Sequence, residues 1–281
     1  MEWCITSRGE LAASVFGAPE APPVLLIAGG GGAMWSWARL LPEVWPASLG
    51  PVARLSPTTS LAAEFRVAVY DQAGVGLSAG VSPAATADEA ASDALAVGRQ
   101  LLGDRFGVAG MSLGGATATR AALAEPATVS GLVLISTYPG VSDLAPAQPS
   151  TDNENVLPGK EDVEDDEASI RRSLQPWFRT EFPSVVDAIV AASRVTPLHP
   201  NLEQRSIELF FSHDGHDLTS LAMPTAVVCG ELDAVFPIGN SEVIAQLVDG
   251  SRFTRVPNAG HALHLEAPDT IWEIIRALQR A

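Results

Sequence analysis

The stretch VAGMSLGGATATR, residues 108–120, is an apolar run that reaches a serine set between glycines and continues into small, helix-compatible residues. The spacing Gly110-Met111-Ser112-Leu113-Gly114 predicts a sharp strand-to-helix turn, in which side chains at the glycine positions would clash with the neighbouring strand and helix. Such a turn lifts the Ser112 hydroxyl out of the fold. The pattern is weak when it stands alone, so its meaning depends on what flanks it.

Outward from this turn, short apolar runs alternate with helical stretches. Strands are expected at 23–30, 65–71, 105–110, 130–137, 225–231 and 252–257, with two short strands around the Arg8-Gly9 turn. Helices are expected near 36–44, 86–102, 113–125, 240–248 and 268–280. This alternation implies a mostly parallel sheet with helices on both faces, whose carboxyl ends carry function. From Gly140 to about Asp217 the rhythm breaks. That stretch is rich in Pro, Asp and Glu, with helical pieces near 164–175, 182–194 and 201–211. It reads as a helical cap, residues 140–217, inserted into a core made of 1–139 and 218–281. The long connection between Trp37 and Phe65 carries four prolines and is expected to add a loop at the same end of the sheet.

Composition narrows the function. The chain has 281 residues, 47% of them hydrophobic, and 17 basic against 33 acidic residues give a net charge of −16. Nucleic acid and anionic membranes need clustered positive charge, so neither is expected as a partner. No apolar run is long enough to span a bilayer, and no secretory signal is read at the N-terminus. Two cysteines, Cys4 and Cys229, make no disulfide framework and no metal spacing, which points to the cytoplasm.

A serine hydroxyl becomes a nucleophile only with a base to take its proton and an acid to orient that base. Of five histidines, His261 in VPNAGHALHLEAPD follows the last strand and is the candidate base; His264, three residues on, is the rival and reads as a packing residue. Asp233 in VVCGELDAVFP is the candidate acid, with Glu231 and Asp71 as rivals; Asp71 reads as shaping the YDQAGVGLS turn. Oxyanion donors are expected from the backbone N–H of Leu113 and from the AGGGGAMWSW loop, at Gly30 or Gly31. A phosphate-binding loop is the rival for these glycines. It lacks the required spacing, and the one lysine, Lys160, lies far away.

AGGGG, YDQAGVGLS, GMSLGG, GELDAVFP and AGHALHLEAP together resemble the α/β-hydrolase superfamily over nearly the whole chain. The resemblance implies an α/β-hydrolase fold: an eight-stranded, mostly parallel sheet with a helical cap inserted after strand six. It also implies Ser112 as nucleophile, Asp233 as acid and His261 as base. Two positions depart from the pattern. Ala28-Gly29 stand where the family usually has His-Gly, which removes the histidine's support of the oxyanion loop. Ala73 and Val75 replace the usual Arg and His of the DxxGxGxS turn. The glycine-rich oxyanion loop is similar to that of esterases acting on polyketide-type natural products.

Other features have plainer readings beside functional ones. HDGHDL, residues 213–218, reads as a connection into the next strand, with a metal site as the alternative. The acidic run 161–167 reads as a solvated helix start, or as a screen against anionic substrates. Trp35 and Trp37 serve the core or line the pocket; Gly31, Trp35, Trp177 and Phe210 are the candidate substrate contacts. Cys229 reads as a buried strand residue. The expectation is a cofactor-independent serine hydrolase, with no metal, acting on a small apolar ester. Its rivals are C–C bond hydrolysis, thioester cleavage, perhydrolysis or acyl transfer on the same triad, and a non-catalytic receptor that keeps the triad.

Overall fold

The computed structural model describes residues 1–49, 59–145, 170–171 and 173–278. Eight strands run β1 (Glu2–Ile5), β2 (Glu10–Phe16), β3 (Pro23–Ile27), β4 (Arg66–Tyr70), β5 (Phe106–Met111), β6 (Val129–Ile135), β7 (Thr225–Gly230) and β8 (Arg252–Val256). They form one sheet in the order β1-β2-β4-β3-β5-β6-β7-β8. β2 is antiparallel to both its neighbours and every other pairing is parallel. Each strand inferred from sequence is present, within a few residues at its ends.

Both faces of the sheet are buried, which is why its strands read as continuous apolar runs. Leu25, Ile27, Val108, Leu132 and Leu134 face α1 (Ala87–Leu102) and α2 (Leu113–Ala124). Their sequence neighbours Val24, Leu26, Ala109, Val133 and Ile135 face Trp37, Leu40, Leu41 and the C-terminal helix residues Ile271 and Ile275. A side chain of this kind, fully buried, contributes roughly 1.5–3 kcal/mol by leaving water. Residues 36–44, expected as one helix, instead form two single 3₁₀ turns, Met34–Trp37 and Pro42–Val44. Pro42 has no N–H to continue a ladder, and its ring crowds the turn before it.

Between β6 and β7 the chain leaves the sheet and forms α3 (Pro176–Glu181), α4 (Pro183–Val195) and α5 (Leu202–Ser212). α4 and α5 lie within two residues of the expected spans. α3 was not anticipated, although Pro176 at its first position is a start signal. The expected helix 164–175 falls mostly, and the acidic run 161–167 wholly, outside the described residues. Leu174, Phe178, Val185, Val186 and Ile189 of the insert bury themselves against Ala38, Ala262 and Leu265. The insert therefore lies on the loops that follow β3 and β8. The chain then returns through β7, α6 (Gly239–Leu247), β8, the short α7 (Leu263–Glu266) and α8 (Pro268–Leu278).

Candidate active site

The sheet order places β4 on one side of β3 and β5 on the other, so the chain reverses direction across the sheet at β3. A crevice opens at the carboxyl ends where such a reversal occurs. Two loops border it: the glycine loop after β3 and the turn after β5. Ser112 stands at the second, at φ 54° and ψ −126°, a conformation non-glycine residues rarely adopt. Its backbone is fixed on both sides. Ser112 N donates to Ile135 O at 2.9 Å, while Ser112 O accepts from Gly115 N at 2.8 Å and from Thr137 Oγ1 at 2.7 Å. A Cβ at Gly114 would lie 2.3 Å from Ala28 O, and one at Gly29 would lie 3.2 Å from the Ser112 Cβ. The glycines thus let helix, elbow and glycine loop touch. The Ser112 side chain, by contrast, makes no hydrogen bond to the described residues and is free to meet a ligand.

β7 and β8 are adjacent, so the loops after them meet. Asp233, 5% exposed, accepts from His261 Nδ1 at 2.9 Å through Oδ2. Its Oδ1 lies 3.1 Å from the same Nδ1 and accepts from the backbone N–H of Val235 and Phe236, both at 2.9 Å. The Cys229 thiol lies 3.7 Å from Oδ2. A carboxylate held this way orients the imidazole ring and favours the proton on Nδ1. Phe236 packs edge-on to the His261 ring at 5.8 Å.

The rival residues are used otherwise. Glu231 is exposed. Asp71 accepts from Met34 N at 2.8 Å and Leu77 N at 2.9 Å, which shapes its own turn as expected; burial holds its carboxyl above the usual range against these hydrogen bonds. His264 is buried, edge-on to Trp37 at 5.7 Å, with Nδ1 unpartnered. In HDGHDL, Asp214 accepts from Ser142 and Asp217 caps Thr219. Among the described residues no three His, Cys, Asp or Glu side chains gather as a metal site.

Two residues emerge that sequence reasoning missed. Gln72 donates its side-chain amide to Ala28 O at 2.8 Å and Gly29 O at 3.3 Å. It supports the glycine loop where the usual histidine is missing; its place in the DQAGVGLS turn was the available signal. Glu266, buried, accepts from Gly260 N and Gln175 N, both at 2.6 Å. One carboxylate thereby ties the His261 loop to the insert. Burial holds it above the usual carboxylate range, opposed by the two backbone donors.

The candidate substrate contacts divide. Gly30 and Gly31 border a crevice of about 40 Å³ beside Leu113, whose N–H, in the first turn of α2, has no intrahelical acceptor. Trp35 lines a cavity of about 150 Å³ with Met111, His261, Ala262, Ile189 and Leu265. Trp177 and Phe210 line neither. Trp177 Nε1 donates to Asn258 O at 2.7 Å, and Phe210 is buried against Tyr138 and Phe236. Both tie the insert to the core, Trp177 through its hydrogen bond to the loop after β8 and Phe210 through its packing on Tyr138 and Phe236.

Two buried histidines make the fold acid-sensitive. Burial lowers His264 to about 3, aided by His261 and Arg39. Burial also lowers His213 to about 3, aided by His216 and Arg120. Below the unfolded pKa of about 6.5 the unfolded chain takes up a proton that the folded one refuses. Stability is therefore present above that pH and is lost on acidification toward the folded value. Each histidine should remove about 2 kcal/mol between pH 7 and pH 5. His213→Phe keeps a ring against Tyr138, so its melting temperature should fall less over this interval than that of the wild type. Comparing the two proteins at both pH values cancels the carboxylates they share. Equal falls would show that His213 is not held neutral.

A family model described as alpha/beta hydrolase fold matches residues 22–268. "Putative carbamate hydrolase RutD" of Klebsiella pneumoniae (strain 342) is 26% identical over 267 residues, covering 92% of this chain and 91% of that protein. A hydrolase from Pseudomonas aeruginosa PA01 superposes with a TM-score of 0.75 at 24% identity, over 100% of this chain and 98% of its own. A thermophilic esterase from Thermogutta terrifontis gives 0.70 at 23% identity, over 99% and 97%. No helix among the described residues is long and apolar enough to cross a membrane.

Proposed function

The chain belongs to the α/β-hydrolase family, and from that premise we propose that this hydrolase cleaves the carboxylic ester of a small apolar molecule through an acyl-enzyme on Ser112. The observation that carries the proposal is the Asp233 carboxylate, held by the backbone N–H groups of Val235 and Phe236 and set against His261 Nδ1. His261 Nε2 takes the Ser112 proton as Oγ attacks the ester carbonyl. The backbone N–H groups of Leu113 and Gly30 receive the oxyanion. His261 returns the proton to the departing alkoxide, and water repeats the sequence on the acyl-enzyme. The apolar lining of the cavity beside His261 favours an apolar substrate. In this reading residues 140–217 are the lid, and Gln72 and Glu266 position the oxyanion loop and the base. Two buried, unpaired cysteines favour a reducing compartment such as the cytoplasm.

The test joins a label to a panel. A fluorophosphonate should add to Ser112, found by mass spectrometry of the digested adduct. Aryl esters should turn over faster than matched thioesters, lactones, carbamates and β-diketones. An adduct on another serine overturns the nucleophile. A carbamate or β-diketone as the best substrate keeps the triad and replaces the reaction.

A further inference from the structure

Beyond the 150 Å³ cavity at His261 lies a larger one, of about 440 Å³, that the chemistry above does not use. Trp35 and Trp45 stand in the walls of both cavities. Their rings meet edge to face at 84°, with centroids 6.3 Å apart. Trp35 is pinned: its Nε1–H donates to Thr196 Oγ1 at 2.8 Å, and that hydroxyl donates to Ala192 O at 2.7 Å, at the end of α4. Trp45 sits half-buried between the Pro42–Val44 turn and Pro46. The pair is thus a partition between the two cavities, with Trp35 fixed by the insert.

The outer chamber has apolar walls, among them Phe16, Met34, Leu77 and Val195. Two carboxylates border it. Asp71 has both oxygens engaged by backbone N–H groups, and Glu43 accepts from Ser60 at 2.8 Å. No lysine, arginine or histidine lines it among the described residues. Such a chamber accepts an apolar group, and both side-chain charges on it are carboxylates that repel an anion; Met1, 75% exposed, also borders it.

We infer that the outer chamber is the binding site for the distal part of the substrate, an elongated, uncharged alkyl or aryl group that reaches past the Trp35–Trp45 pair while the ester lies at Ser112. The inference rests on the serine-hydrolase proposal above and extends it to a substrate class. Each methylene moved from water into such a site should strengthen binding about fourfold. Esters whose chain outgrows the inner cavity should therefore keep gaining, and a terminal carboxylate should cancel the gain.

The experiment measures kcat/KM for p-nitrophenyl acetate, for the octanoate, and for an octanoate ending in a carboxylate. Wild type should prefer the octanoate over the acetate by at least 10-fold and over its carboxylate-ended analogue by a similar factor. Val195→Trp, at an exposed helix end, should fill the chamber and lower the octanoate-to-acetate ratio at least 10-fold. Trp45→Ala should change the same ratio by removing the partition. A calorimetric Kd for the octanoate on Ser112→Ala, weakened at least 10-fold by adding Val195→Trp, reads binding without turnover. Ratios and Kd that stay within twofold in the variants, or a wild type that prefers the acetate, overturn the chamber while an inactive Ser112→Ala leaves the serine proposal standing. A Ser112→Ala protein as active as wild type overturns the serine proposal instead.

Discussion

Ser112→Ala is expected to lower kcat by about 10⁶, the scale on which serine proteases respond to loss of their nucleophile. On the proposed mechanism the substitution removes the atom that forms the acyl-enzyme and leaves binding and the oxyanion donors. Its structural effect should be small. The Ser112 backbone is held by Ile135, Gly115 and Thr137, and the hydroxyl itself makes no hydrogen bond that folding relies on. The melting temperature should match wild type, and the burst of p-nitrophenol that marks acylation should vanish. A variant that keeps its burst places the nucleophile elsewhere.

Asp233→Asn should lower kcat by about 10⁴, from tautomer and charge together. An amide can turn its NH₂ toward Nδ1, which shifts the imidazole proton to Nε2 and blocks the base. It also withdraws the negative charge that supports the imidazolium. The Val235 and Phe236 N–H groups still find an oxygen at position 233, so the loop keeps its shape. Glu231→Gln, at an exposed position, should stay within a few-fold of wild type. Measured on one aryl ester, the opposite order would move the acid two residues along the chain.

The difference between Asp233 and Asp71 shows what could be read from sequence and what could not. Both are acids beyond a parallel strand, and both stand in short, recognisable patterns. The strand order supports the choice between them: β7 lies beside β8, which leads to His261, whereas β4 lies on the far side of β3. Ser112, Asp233 and His261 were legible because each occupies a loop whose backbone shape demands a local pattern of glycines and small residues. Gln72 and Glu266 were not, because their work is to accept or donate across loops distant in sequence. Trp45 was not either, since its place opposite Trp35 depends on where the proline-rich connection folds back. The parallel strands were legible from their apolar runs. The 36–44 segment misled because its helix-like spacing is overruled by one proline.

Because a single buried carboxylate, Glu266, receives both Gly260 N and Gln175 N, the insert is not an exchangeable module. A proline at 175 is excluded, since a backbone N–H is what Glu266 uses, and the Gln175 side chain adds its own bond to Leu232 O at 3.3 Å. A recombinant that takes its insert from a distant relative keeps this tie only where the incoming backbone sets an N–H at position 175 against Glu266. Selection that shifts the backbone of the insert therefore also acts on the loop that carries His261.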